Sequence, residues 1–189
     1  MKHLISEIKL NLIIFLLLGI GFPLVVWLLG LTMPENSAGK PVVRNGITLG
    51  FENIGQKFTS DRYFWGRPSA TGNNASSTGG SNKSIADSLY LVLVNQRLEE
   101  FLKRNPGITK DDIPSDLITS SGSGIDPDIS VQSAIVQTKR IARIRKISEE
   151  AVIKLVFDNI EQPFLEIFGT QCVNVLRLNL ALDEMNGVK

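Results

Sequence analysis

The sequence predicts an α+β domain, with helices packed on a small sheet, preceded by one N-terminal transmembrane helix. Three observations carry that expectation. Residues 10–33, LNLIIFLLLGIGFPLVVWLLGLTM, hold no charged side chain. Beyond them, apolar residues recur at helical spacing in three separate stretches. Between those stretches lie short β-branched runs bounded by Gly, Asn, Ser and Pro.

The apolar stretch comes first. At about 1.5 Å per residue it reaches roughly 36 Å, enough to cross a hydrocarbon core of about 30 Å. It exceeds the roughly 7–15 residues of a signal-peptide core, and no A-x-A site follows it, so a retained anchor is expected. Pro23 is expected to kink the span because it donates no N–H. Gly19 and Gly21 offer a surface where another helix can approach closely. Lys2 and Lys9 precede the span, while Lys40 and Arg44 follow it at a greater distance. The positive-inside rule then makes residues 1–9 a cytoplasmic tail and sends the rest to the outer face. Residues 34–40 read as a connector, and 41–189 as a single globular domain.

Within that domain, extended runs at 42–44 and 47–52 flank Asn45-Gly46, a hairpin signal. A helix of about 20 residues follows from Ser84, expected to cap it, to Pro106-Gly107, with Ile85, Leu89, Val92 and Leu93 as its apolar stripe. A brief strand is expected at 116–119. Helices follow at about 130–146, capped by Asp128 or Ser130, and at 148–160, capped by Ser148 with Glu149 and Glu150 near the dipole. The closing QCVNVLRLNLAL reads as a strand.

Composition excludes several kinds of chemistry. Lys2, Lys9 and Glu7 are the charged residues up to position 33, which leaves 18 basic against 18 acidic beyond it. No net positive field awaits nucleic acid. One cysteine, Cys172, permits no intrachain disulfide or cysteine-rich zinc site. The single histidine, His3, lies outside the domain and removes triad and HExxH chemistry. GFENIGQKF spaces Gly50 and Gly55 like a P-loop but places Gln56 where lysine is required. Asp126, Asp128 and Ser130 imitate the start of a calcium loop, but its glycine and bidentate acid are missing. No catalytic or metal-ligating residue is expected. A pair of carboxylates meeting in space is the remaining route to an enzyme.

Three segments remain as candidate sites. In RYFWGRPSATGNNASSTGGSN (62–82), Tyr63 and Trp65 share one face of an extended chain and Phe64 takes the other. One reading buries Phe64 in the core with Arg67 over an aromatic ring. The other makes Tyr63, Trp65 and Arg67 a partner-contact cluster. The polar loop to Asn82 is either an exposed spacer or a nest of N–H groups for an anion. The second segment, TSSGSGIDPDIS, is either a tight connection or a recognition loop of Ser121, Gly122, Ser123, Gly124 and Asp126 at a helix N-terminus. KRIARIRK (139–146) reads as a solvated flank paired with Glu149 and Glu150, or as a contact for anionic lipid or an acidic partner.

Taken in order, GQKF, YFWGRPSA, TGGSN, DLITSSGSGIDPDIS, the basic helix and VNVLRLNLAL, behind an N-terminal span, resemble the C subunit of bacterial Kdp potassium-transporting ATPases. Thr78, Lys83, Cys172 and Arg177 depart from that pattern. The resemblance implies a non-catalytic subunit of a high-affinity K⁺ import pump in the bacterial plasma membrane. Its partners would be a channel-like K⁺-selective subunit, a P-type subunit that hydrolyses ATP through a D-K-T-G aspartate, and membrane lipid. The resemblance further implies a role in assembly and stability, and a chaperone role that raises ATP affinity in the hydrolysing subunit. No cofactor would be tightly bound, and ATP would be met only in the complex. The matching nucleotide-binding positions would be Ser77, Thr78, Gly79, Gly80, Ser81 and Asn82. An outer-face domain would instead cap the mouth of the channel-like subunit and influence K⁺ entry without touching nucleotide. A free-standing anchored binding module or enzyme is the further alternative.

Overall fold

The computed structural model describes residues 2–32, 39–163 and 165–185, so most of the expected connector at 34–40 and the last residues of both the anchor and the domain lie outside the described residues. The chain forms two compact units, residues 1–40 and 41–189.

The first unit is one helical run: α1 (Lys2–Leu16), a widened π-type turn (Leu17–Gly21) and α2 (Phe22–Leu31). His3–Leu31 is long and apolar enough to cross a membrane, and none of its most apolar window is buried within the protein. The helix therefore starts earlier than the apolar stretch and takes in most of the expected tail. The disturbance expected at Pro23 takes the form of the wide turn just before it. There the N–H of Phe22 donates to the carbonyl of Leu17, five residues back. Such a turn re-registers the backbone where proline would clash with the carbonyl four residues before it.

The second unit opens with a hairpin of β1 (Pro41–Arg44) and β2 (Ile47–Phe51). Asn45 and Gly46 both take positive φ, 52° and 77°, as a two-residue turn between right-twisted strands requires. Next come α3 (Ser88–Arg104), two 3-10 turns, β3 (Asp128–Ser130), α4 (Val131–Arg145), α5 (Glu149–Asp158), β4 (Ile160–Glu161), β5 (Cys172–Asn174) and α6 (Val175–Met185). The sheet is antiparallel in the order β3-β5-β4, with Val173 opposite both Ile129 and Ile160. Phe64, Ile129, Ile141, Val152, Val156, Val173, Leu178 and Leu182 form the main core. A second cluster joins Leu98 and Phe101 to Ile113, Leu117 and Val136.

Ser130 and Ser148 cap α4 and α5 as expected, accepting from the N–H groups of Ser133 and Ala151. Three expectations need correction. The long helix begins at Ser88, not Ser84, because the Asp87 carboxylate accepts from Leu89 and Tyr90. Residues 115–117 form a 3-10 turn after Pro114 where a strand was expected. The closing strand stops at Asn174, whose Oδ1 caps a helix by accepting from Arg177 N–H at 3.2 Å. From there Val175, Leu178 and Leu182 are buried at helical spacing, and leucine-rich sequence favours that state.

Candidate functional site

The aromatic segment is held from both sides by side-chain amides. Asn179 accepts from Phe64 N–H at 2.8 Å and donates back to its carbonyl at 3.0 Å. Gln137 does the same for Trp65, at 2.8 and 3.2 Å. Each amide supplies what a neighbouring strand would, so an extended segment with no strand beside it is satisfied within the domain. Phe64 is fully buried, worth about 1.5–3 kcal/mol relative to exposure.

Two arginines of the basic stretch complete the grip. Arg140 donates from Nη1 to the carbonyls of Asp61 and Tyr63, from Nη2 to Gln137 Oε1 and from Nε to Asn105 Oδ1. Its guanidinium lies 3.9 Å from the centre of the Trp65 ring. Burial pulls its pKa down to about 10. Arg145 donates to the Arg62 carbonyl, pairs with Asp183 at 2.7 Å and stacks on Tyr63, whose hydroxyl also donates to Asp183. The solvated flank expected for KRIARIRK is therefore half wrong: Arg140 and Arg145 face inward, while Lys139, Arg143 and Lys146 face solvent. Arg140 and Arg104 lie over the Trp65 ring and Arg145 over Tyr63, where Arg67 was expected to cover an aromatic ring. Arg67 pairs with Asp126 at 2.8 Å, and its Nε is buried with no partner among the described residues.

The two glycine-serine loops, separate in sequence, meet edge to edge. Gly79 N–H donates to the Ser123 carbonyl at 2.7 Å, and Ser121 N–H to that of Pro68 at 3.0 Å. Ser69 Oγ donates to the Gly124 carbonyl at 2.5 Å. Gly124, at φ 72°, has no room for a side chain: a Cβ would stand 2.6 Å from both the Gly79 carbonyl oxygen and Thr71 Oγ1. A Cβ on Gly80 would stand 3.1 Å from the Gly122 carbonyl oxygen. One surface thus carries Ser77, Thr78, Gly79, Gly80, Ser81 and Asn82 beside Ser121, Gly122, Ser123 and Gly124, with Asp126 behind them on Arg67. Ser77, Thr78, Asn82, Gly122 and Ser123 are its exposed members.

Neither nearby helix N-terminus is open to an external anion. Asp87 occupies that of α3, and hydrogen bonds from the backbone of Tyr90 and then from Lys83 hold its carboxyl below the usual range. At α4, the Asp116 carboxylate accepts from Ser130 N–H at 2.8 Å and Ser133 Oγ at 2.6 Å. The protein's own carboxylate thus stands at the helix start where the recognition loop was expected to offer N–H groups to an anion.

Ile85, Leu89, Val92 and Leu93, the stripe expected to face the core, are 85%, 77%, 53% and 40% exposed, and the helix faces the core through Leu98 and Phe101. Nine residues separate Leu89 from Leu98, which at about 3.6 residues per turn sets them on roughly opposite faces. The signal was present: α3 is apolar on both sides in its first half and on one side in its second.

Among the described residues, one membrane-length helix and an α+β domain that leaves Leu89 and Val92 exposed and bonds its two polar loops to each other fit a membrane protein. The family profile described as K⁺-transporting ATPase, c chain, matches residues 4–184. A Flavobacterium psychrophilum protein named potassium-transporting ATPase KdpC subunit is 44% identical, over 98% of this chain and 100% of its own. Proteins of the same name from Phocaeicola vulgatus and Bacteroides fragilis are 42% and 43% identical, over 97% and 98% of this chain and 99% and 98% of theirs. The chain belongs to the KdpC family of K⁺-transporting ATPase subunits. It is an accessory subunit of the pump, not the catalytic one.

Proposed function

We propose that the globular domain sits on the outer face of the bacterial inner membrane and docks on the channel-like, K⁺-selective subunit, stabilising the assembly with the P-type ATP-hydrolysing subunit. The observation that carries this reading is the exposed apolar face of Ile85, Leu89 and Val92. Large exposed apolar side chains in a contiguous set are the usual mark of a protein interface. The charge asymmetry around the anchor supports the outer side. On this reading ATP is met only by the hydrolysing subunit, and any gain in its ATP affinity is transmitted through assembly. Direct nucleotide contact at 77–82 has less support, since Gly79 N–H is already donated to Ser123 and would be absent from a phosphate nest.

The test is a double variant, Leu89→Asp with Val92→Asp, in the full chain coexpressed with the other pump chains. Burial of each side chain is worth about 1.5–3 kcal/mol, so the pair weakens docking by roughly a hundredfold or more. Both residues are exposed, so circular dichroism of the purified chain stays at wild type while the partner chains are lost on affinity purification. Recovery of the complex at wild-type yield would refute the assignment.

A further inference from the structure

Lys139 and Arg143, four residues apart on α4, stand on one helix face and are both exposed. With Arg140, Pro106 and Gly107 they line a surface cavity of about 290 Å³, and no carboxylate is among the lining residues. Among the described residues, neither Lys139 nor Arg143 forms a salt bridge. Arg140, 2% exposed, bonds only to neutral oxygens: those of Asn105 and Gln137 and the carbonyls of Asp61 and Tyr63. The carboxylate whose field favours its charge, that of Asp61, is held by Arg104 at 3.0 Å. Three basic residues therefore line the cavity with no acid among its lining residues. Buried charges ordinarily have a counter-charge, and like charges four residues apart on a helix repel. Gly107 keeps the cavity open: its φ is +94°, and a Cβ there would stand 2.9 Å from Lys139 Nζ.

We infer that this cavity is an anion site for a phosphate-type oxyanion, gripped by Lys139 and Arg143 and facing the positive charge of Arg140. An oxyanion with several acceptor oxygens suits a convergent ammonium and guanidinium, and each such bond is charge-assisted. Nothing in the pump assignment requires the site. It lies on α4 beside the C-terminal end of α3, and the exposed apolar residues at the start of α3 are not part of it. The phosphate group has two possible sources, free inorganic phosphate and a phospholipid headgroup.

The test uses the purified full chain and the double variant Lys139→Gln with Arg143→Gln, which leaves Arg140 in place. In zwitterionic micelles at constant ionic strength, inorganic phosphate replaces chloride while the thermal midpoint is followed. In a second arm, nanodiscs with and without phosphatidic acid are compared. Ligand that binds only the folded state raises the midpoint saturably. The double variant should need at least about tenfold more ligand for half the shift, as expected for loss of charge-assisted bonds. A saturable shift in micelles identifies the free ion, and one seen only with phosphatidic acid identifies the headgroup. The inference is overturned if neither ligand shifts the midpoint, or if the double variant responds as the wild type does. Circular dichroism shows whether the variant is folded. If it is not, the single Arg143→Gln change, expected to weaken the response in the same direction, decides by the same criterion.

Discussion

Replacing Arg140 with methionine isolates what holds the aromatic segment in place. Methionine keeps the unbranched apolar stem and removes the guanidinium, and with it four hydrogen bonds of 2.6 to 3.0 Å and the stacking contact on Trp65. Four oxygens lose a donor, among them the backbone carbonyls of Tyr63 in the segment and of Asp61 just before it. Each charge-assisted bond is worth about 1.5–3 kcal/mol net, but the variant also regains the cost of burying a charge. Each buried oxygen left without a donor costs about 1–3 kcal/mol, and the regained cost of burying the charge offsets part of their sum, which leaves a net loss of about 3–5 kcal/mol. In a domain of this size each kcal/mol moves the midpoint by about 2–4 °C, so thermal unfolding should fall by roughly 10 °C. The assay is tryptophan fluorescence of the full chain in a Trp27→Phe background, where Trp65 is the sole reporter because the chain has two tryptophans. Emission should shift as Trp65 loses its cover. Lys139→Met, on the neighbouring exposed residue, should stay within about 0.5 kcal/mol. An Arg140→Met midpoint within about 2 °C of wild type, with unchanged Trp65 emission, would refute the argument.

Two further outcomes are expected. Burial, then the fields of Glu161 and Asp126, raises the pKa of Asp128. The folded state therefore binds this proton more readily than the unfolded state, and its contribution to stability falls as pH rises above the ordinary carboxylate value. Asp128→Asn should raise the thermal midpoint at pH 7, and the gain should shrink toward pH 3.5, where wild type is protonated too; a gain that grows on acidification would contradict this. The side of the membrane is read with Ser77→Cys in a Cys172→Ser background. Ser77 is exposed, and Cys172 is the one cysteine of the sequence, so the introduced thiol is the sole target on this chain. Labelling of intact cells by an impermeant thiol reagent is expected, and labelling only after lysis would defeat the outer-face proposal.

Local chemistry was legible where one residue or one turn decides the outcome. Asn45-Gly46 set the hairpin, and Ser130 and Ser148 set the starts of α4 and α5. Their signals are short-range hydrogen bonds and positive φ, and they hold regardless of what lies across the domain. Errors came where two local signals competed. Ser84 and Asp87 are both good caps, and only the second reaches the N–H groups of the helix that forms. Cys172 to Leu182 is both β-branched and leucine-rich, and Asn174 ends its three strand residues and starts a helix.

For the candidate site, the residue types were legible and their partners were not. The sequence alone determines an apolar segment long enough for a membrane, a domain of both helices and strands, the absence of histidine from that domain, and an ordered set of motifs that resembles one pump subunit. Those properties are one-dimensional, set by composition, spacing and order. Only the tertiary structure decides that Arg140 and Arg145 turn inward while Lys139 and Arg143 stay outside, that the two glycine-serine loops close on each other, and that Leu89 faces solvent. A helix shows which residues share a face. Which face is buried depends on what else folds against it, and contacts such as Arg140 to Tyr63, 77 positions apart, exist only once the chain has closed.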